Sequence, residues 1–181
     1  METETDLLAR ARRFEQRALG GIYDRYSPDL YRYAMRLLGD ADLAEECVAE
    51  TFSRLLHALH SGGGPRLHLR AYLYQVSHNW ITDYYRRRPP PPLPFEACLD
   101  AESGQEPSDT VERRLDGERL RTALRLLTPE QRQVVALKFL EGWQNEEIAE
   151  ALGKTVGAVK SLQHRGLASL RRILASEETG S

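Results

Sequence analysis

Asn145-Glu-Glu-Ile-Ala-Glu-Ala-Leu-Gly-Lys-Thr-Val-Gly-Ala-Val-Lys-Ser-Leu-Gln-His164 decides how this chain folds. The stretch reads as a short helix, roughly Asn145 to Leu152, a break at Gly153, and a longer helix from about Val156 to Leu174. Two helices that meet at a tight angle need a small residue at the crossing and a turn residue that accepts a left-handed backbone. Ala149 and Gly153 supply these. Ile148, Leu152, Val156 and Val159 supply the apolar contact between the helices. The pattern is a helix-turn-helix, whose second helix enters the DNA major groove. From Gly153 to Ala175 the charged residues are Lys154, Lys160, Arg165, Arg171 and Arg172, with no acid, while the preceding helix carries Glu146, Glu147 and Glu150. Basic charge is thus gathered where phosphate contact is expected, which a hairpin used only for packing does not require.

Working outward, Thr128-Pro-Glu-Gln131 is a helix start: Thr caps, Pro takes the first helical position, and Gln can reach back. Gly142 ends that helix. Further upstream, Arg86-Arg-Arg-Pro-Pro-Pro-Pro-Leu-Pro94 cannot continue a helix, because each proline lacks an amide donor and clashes with the turn before it. The following stretch holds Glu96, Asp100, Glu102, Glu106 and Asp109 with no base. Residues 89–110 therefore read as a Pro-rich, acidic linker, either a plain solvated tether or a segment ordered by a partner.

Residues 7–88 form a first helical block. Tyr23, Tyr26, Leu30, Tyr33, Ala34, Leu37 and Leu38 recur at helical spacing, with Pro28 expected to start a helix capped by Ser27 and Gly39-Asp40 to end it. A second helix is expected from about Asp42 to His60, with Leu43, Cys47, Val48, Phe52, Leu55, Leu56 and Leu59 on its apolar face. Ser61-Gly-Gly-Gly-Pro-Arg66 is a break. A third helix, about Leu69 to Arg88, places Leu69, Leu73, Val76, Trp80 and Tyr84 on one face. It mixes aromatic and basic residues and ends on Arg86-Arg87-Arg88, a composition suited to stacking on unpaired bases while holding their backbone. The plain alternative is core aromatics followed by a solvated basic end, and Trp80 is expected in the core.

The fold class is accordingly all-α: two small helical domains, residues 1–88 and 111–181, on a flexible linker. The chain of 181 residues is 41% hydrophobic and 29% charged with a net charge of −2. No apolar run approaches the ~20 residues of a membrane span, so no membrane insertion is expected. The acidic start differs from a secretory signal, which points to a cytoplasmic protein. Cys47 and Cys98 are far apart and form no CxxC pair. His57 and His60 lie one turn apart without a third ligand, so no metal is expected. No cofactor loop, triad or carboxylate pair suggests an enzyme.

Taken in order, Leu30-Tyr-Arg-Tyr-Ala34, Ala44-Glu-Glu-Cys-Val-Ala-Glu-Thr-Phe52, Leu69-Arg-Ala-Tyr-Leu-Tyr74 with Asn79, Asp83 and Arg86, Leu127-Thr-Pro-Glu-Gln-Arg132, and Glu147-Ile-Ala-Glu-Ala-Leu-Gly153 with Val156 to Ser161 resemble extracytoplasmic-function (ECF) sigma factors of bacterial RNA polymerase. The resemblance runs from about Tyr23 to Leu174 and rests on the order and spacing of three motifs. It implies that the Leu43–Leu56 stretch binds the β′ clamp helices of core RNA polymerase, with Glu46, Ala49, Glu50 and Phe52 at the contact, and that the β subunit is touched as well. It implies that the Ser61–His68 loop captures a base flipped from the −10 promoter element, and that the third helix reads that element. Arg66, His68, Arg70, Asn79, Asp83, Arg86 and Arg87 are the implied contacts. Flipping costs unstacking energy, which a pocket for the base offsets. The helix-turn-helix is implied to read the −35 element through Thr155, Val156, Lys160, Ser161, His164 and Arg165. The resemblance further implies promoter DNA and an anti-sigma factor as partners, an acidic linker threading toward the RNA path, and free domains that pack together and hide their DNA-binding faces.

The chain departs from the family pattern at Ala49, where Gln is usual, at Tyr72, where Trp is usual, and at Leu162-Gln163, where Arg-Leu is common. Gln144-Asn145 replaces Ser-Tyr, with Asn145 still expected to cap. No further C-terminal regulatory domain is expected after the last helix. The competing reading is a stand-alone helix-turn-helix regulator that binds duplex DNA as a dimer. It leaves the Ala44–Phe52 stretch and the aromatic-basic helix without a purpose.

Overall fold

The computed structural model describes residues 2–88 and 109–178. The linker residues 89–108, Cys98 among them, lie outside the described residues. What is described is helical: α1 Glu4–Ala11, α2 Gln16–Leu38, α3 Ala41–His60, α4 Leu69–Arg87, α5 Asp109–Leu126, α6 Pro129–Val135, α7 Asn145–Leu152 and α8 Val156–Glu178. Helix α6 runs on into one π-helical turn, Ala136–Leu140.

Helices α2, α3 and α4 make a three-helix bundle, with α1 packed on α2. Leu30, Tyr33, Ala34, Leu37, Ala44, Cys47, Leu55, Leu69, Leu73 and Ile81 form its buried centre. Pro28 does not start a helix; it lies inside α2. Ile22, Tyr26, Leu30 and Leu37 are buried on both sides of it, so one apolar stripe carries the helix through. Pro28 and Asp24 are both exposed, and solvent on that side replaces the bond the imide ring cannot make. Helix α3 is capped by Asp40, whose carboxylate accepts from Leu43 N at 3.0 Å. Its expected apolar face is buried except for Leu56, which is exposed, and Leu43, which is half-buried.

In the C-terminal half, Thr128 caps α6, its hydroxyl accepting from Gln131 N at 3.2 Å. Ile148, Ala149 and Val159 are buried between α7 and α8, and Gly153 turns the chain with φ 61°. Asn145 is not the cap of α7. Gln144 precedes the helix, and its main-chain N–H donates to the Glu147 carboxylate at 2.7 Å. Asn145 Oδ1 instead accepts from Gln163 Nε2 at 2.6 Å, tying α7 to α8. Helix α8 crosses α6 at Gly166, where a Cβ would meet Val135 Cγ2 at 2.7 Å.

The two helical halves pack together. Gln133 Nε2 donates to Gln75 Oε1 at 2.8 Å, Arg132 donates to Thr82 Oγ1 at 2.9 Å, and Tyr74 donates to the Glu141 carboxylate at 3.0 Å. Arg36 reaches Glu141 at 2.8 Å and also the Leu140 carbonyl.

Candidate nucleic-acid interface

Helix α4 has two differently occupied sides. Its buried residues are Leu69, Leu73, Tyr74, Ser77, His78, Ile81 and Thr82. The expected face is met only at Leu69 and Leu73: Val76, Trp80 and Tyr84 are half-buried, and Trp80 stacks on Tyr84 at 5.8 Å at the margin of the core. The reason lies in the second half of the chain, which covers the polar side of α4.

His78 is the centre of that cover. Its Nε2 faces the Pro129 carbonyl at 3.0 Å and its Nδ1 faces the Tyr33 hydroxyl at 2.9 Å. A carbonyl can only accept, so Nε2 carries the proton and Tyr33 donates to Nδ1. Burial, with the nearby Arg132 cation, lowers the imidazole pKa to about 3. Arg132 itself is 2% exposed, and its guanidinium lies 4.8 Å from the centre of the Tyr85 ring. Burial lowers its pKa also, and the Tyr85 hydroxyl is raised to about 12 by the same desolvation. Beneath α4, Ser77 Oγ and Thr51 Oγ1 lie 2.9 Å apart, and Thr51 donates to the Cys47 carbonyl at 2.7 Å. The Cys47 thiol is pushed up to about 12 by burial, which leaves it an inert packing residue.

Five of the seven residues expected to meet the −10 element, His68, Arg70, Asn79, Asp83 and Arg86, line the seam between the halves. Asn79, Asp83 and Arg86 border a polar cleft of about 550 Å³ whose far wall carries Glu130 and Lys154. Asn79 accepts from Gln75 at 2.9 Å, and Asp83 lies 3.9 Å from Arg86. His68 faces Glu150 of α7 at 3.2 Å. The Arg70 guanidinium lies 4.2 Å from the centre of the Trp143 ring. Arg66 is exposed on the loop, and Arg87 lies across α4 beside Trp80, Tyr84 and Glu46.

The residues expected to meet polymerase divide between two sides of α3. Ala49 borders a groove with Tyr23, Pro28, Tyr31 and Val48, and Phe52 closes against the exposed Tyr23 ring at 4.9 Å. Glu46 faces the α4 side, and Glu50 is held by Arg54 at 3.0 Å. On α8, Lys160, Ser161, His164 and Arg165 are exposed together, and Val156 is half-buried. Thr155 is the N-cap of that helix, its hydroxyl accepting from Ala158 N at 3.1 Å. Reading the sequence missed Trp143, Glu141 and Arg36. No spacing signal marks them, because each matters only through the packing of the two halves. Arg132 sits inside the quoted Leu127–Arg132 motif but carried no role there.

Comparison with known proteins settles the family. Sigma-70 region 2 matches residues 22–89, and sigma-70 region 4 matches residues 117–170. The ECF RNA polymerase sigma factor SigL of Mycobacterium tuberculosis is 32% identical over 88% of this chain and 90% of its own length. This chain belongs to the ECF sigma factors. BldN of Streptomyces coelicolor, also an ECF sigma factor, is 33% identical over 95% of this chain, which spans 66% of BldN. Among solved structures, CnrH in complex with the cytosolic domain of CnrY is 26% identical, with a TM-score of 0.68 over 96% of this chain and 97% of CnrH. The fold is shared at lower identity, 22% with a TM-score of 0.56, by the sigma factor RpoE of Bartonella quintana, solved in complex with the anti-sigma factor NepR; the alignment covers 86% of this chain and 96% of RpoE. As an ECF sigma factor the chain acts in promoter-directed transcription initiation by RNA polymerase. Among the described residues no helix is long and apolar enough to cross a membrane, and no cluster of His, Cys, Asp and Glu could hold a metal ion.

Proposed function

We propose that this ECF sigma factor divides promoter recognition between its halves, residues 1–88 and 111–181, with residues 89–110 as the tether. Helix α3 docks on the β′ clamp helices through Glu46, Ala49, Glu50 and Phe52. The 61–68 loop and α4 engage the melted −10 element through Arg66, His68, Arg70, Asn79, Asp83, Arg86 and Arg87. Helix α8 reads the −35 duplex through Lys160, Ser161, His164 and Arg165, with Thr155 and Val156 setting its N-terminus against the phosphates. The polymerase performs the chemistry, and the sigma factor works beside it in the cytosol.

One observation carries this reading: a region 2 match and a region 4 match occur in one chain, with the recognition face of α8 left exposed. A stand-alone regulator has no use for the first of these. The contacts of His68 with Glu150 and of Arg70 with Trp143 support a resting form in which these proposed −10 residues are engaged from within. Binding of polymerase separates the halves, and an anti-sigma factor, such as the one bound to RpoE, holds them from it.

The test is run-off transcription with core RNA polymerase on a promoter library, with and without this protein. Transcripts that depend on the protein and share a −10 and a −35 sequence are expected. Silence on every promoter, with dimeric binding to duplex DNA alone, would replace the reading with the stand-alone regulator.

A further inference from the structure

Helix α1 precedes both matched segments, yet it makes the contacts that shape the 61–68 loop. Arg12, at its C-terminal end, donates to Gly63 O at 2.8 Å and Pro65 O at 3.2 Å through Nη1, and to Gly62 O at 3.1 Å through Nη2. One planar fork thus gathers three main-chain carbonyls of a single loop. At the other end of α1, Glu4 Oε1 accepts from Leu69 N at 2.9 Å, where the loop enters α4. Glu4 Oε2 accepts from the Tyr26 hydroxyl at 2.6 Å, which anchors the carboxylate to α2. Burial and this carboxylate together raise the Tyr26 pKa, so the phenol stays a donor.

The loop needs an outside support. His68 sits at φ 57° and ψ 48°, a left-handed backbone that is costly for a residue with a Cβ, and its side chain does not cap α4. The Glu4 carboxylate supplies the missing acceptor at a helix N-terminus, where negative charge is favoured. Little packing holds the tip: Leu67 is 59% exposed, Arg66 and His68 are exposed, and only Pro65 is buried.

We propose that Arg12 and Glu4 are positioning residues that hold the 61–68 loop in the shape that selects the flipped promoter base. This rests on the reading of that loop as the element that captures the base. A loop ordered before binding does not lose its conformational freedom when the base arrives, and it discriminates by a fixed outline. Without the grip it adapts to whichever base is offered.

The experiment uses the full chain with core polymerase and promoters carrying each of the four bases at every −10 position. Initiation rate, polymerase affinity and thermal midpoint are measured for Arg12→Ala, Arg12→Lys, Glu4→Ala and Glu4→Gln. Arg12→Ala is expected to lower discrimination at one −10 position by about tenfold, with polymerase affinity unchanged. Arg12→Lys restores little, since an ammonium cannot span three carbonyls. Glu4→Gln, which keeps an acceptor for Leu69 N, restores most of what Glu4→Ala loses. Arg66→Ala with His68→Ala is the control for the loop. If that double substitution shifts base preference and Arg12→Ala does not, the inference fails while the reading of the loop stands. If the double substitution shifts nothing, the reading of the loop fails. Equal loss at every position, together with lost polymerase binding, would make Arg12 a general stabiliser and overturn the proposal.

Discussion

The ring of His78 and the main-chain carbonyl of Pro129 are 3.0 Å apart, and this bond joins α4 to the first turn of α6. The imidazole serves the contact only while neutral on Nδ1, because Tyr33 donates there. Its two hydrogen-bond partners are the Tyr33 hydroxyl of α2 and the Pro129 carbonyl of α6, and the charge acting on it is the Arg132 cation; Asp83 and Glu130 line the open cleft it borders. Neither hydrogen-bond partner is an anion that would pair with a protonated ring.

A pH dependence follows. With the pKa lowered to about 3, the packed form binds fewer protons than the unfolded chain, whose His titrates near the ordinary value of about 6.5. The contribution is fully present above that ordinary value and declines as pH falls toward the lowered one. Unfolding free energies from urea titrations between pH 7.5 and 5 should fall, as pH is lowered, with a limiting slope of about 1.4 kcal/mol per pH unit from this one group. In His78→Gln, which keeps an amide donor toward Pro129, that part of the slope should vanish. Parallel slopes in the two proteins would mean that other groups set the acid sensitivity.

The legibility of the fold divides at the same seam. The helix-turn-helix was readable because Ile148, Ala149, Gly153 and Val159 meet within one local motif. The exposure of Lys160, Ser161, His164 and Arg165 on one side of α8 follows from the same period. Pro28 was misread because a proline is favoured at the first helical position and costs a helix interior a hydrogen bond, and only the apolar stripe on both sides of it shows that the helix carries it. The buried face of α4 was misread for a different reason. His78 and Thr82 are buried by partners about 50 residues away, Pro129 and Arg132. No periodicity within α4 announces a polar surface that another domain will cover. The grip of Arg12 on the loop is equally silent, since its acceptors are main-chain carbonyls.

Glu141 ties the halves together, taking Arg36 on one carboxylate oxygen and the Tyr74 hydroxyl on the other. Its side chain is only 8% exposed, so removing it strands a buried phenol as well as an arginine. Glu141→Ala should weaken the packed form by about 2 kcal/mol, roughly a thirtyfold shift toward separated halves. Small-angle scattering of the free protein should then give a larger radius of gyration, and affinity for core polymerase should rise. A larger radius without tighter binding would show that the packed form does not compete with polymerase.

Two glycines of α8 should respond oppositely to the same change. At Gly166 an added methyl would overlap Val135 Cγ2 at 2.7 Å and press on Gln131 Cβ at 3.5 Å, so α6 and α8 must move apart. Gly166→Ala should cost about 1–3 kcal/mol in a denaturant titration. At Gly157 the nearest atom is Thr155 Oγ1 at 4.0 Å. Gly157→Ala should leave stability unchanged or raise it by up to about 0.5–1 kcal/mol through lower backbone freedom in the unfolded chain. Equal effects at the two sites would mean that the crossing of α8 over α6 is not tight.

The exposed face of α8 separates positioning from reading. Lys160 is exposed, with no acid from Gly153 to Ala175 to neutralise it, and suits a phosphate. Lys160→Ala should weaken binding of a −35 duplex to the holoenzyme by a similar factor for every sequence. It should also lower the slope of log affinity against log salt by about 0.9. Arg165 lies five residues further along α8, at the other edge of the exposed side, where a fork can address a base edge. Arg165→Ala should cost about 1–3 kcal/mol on the preferred −35 sequence and relax the choice at one base pair. A salt slope unchanged in Lys160→Ala, or an Arg165→Ala loss spread evenly over all sequences, would reassign the two side chains.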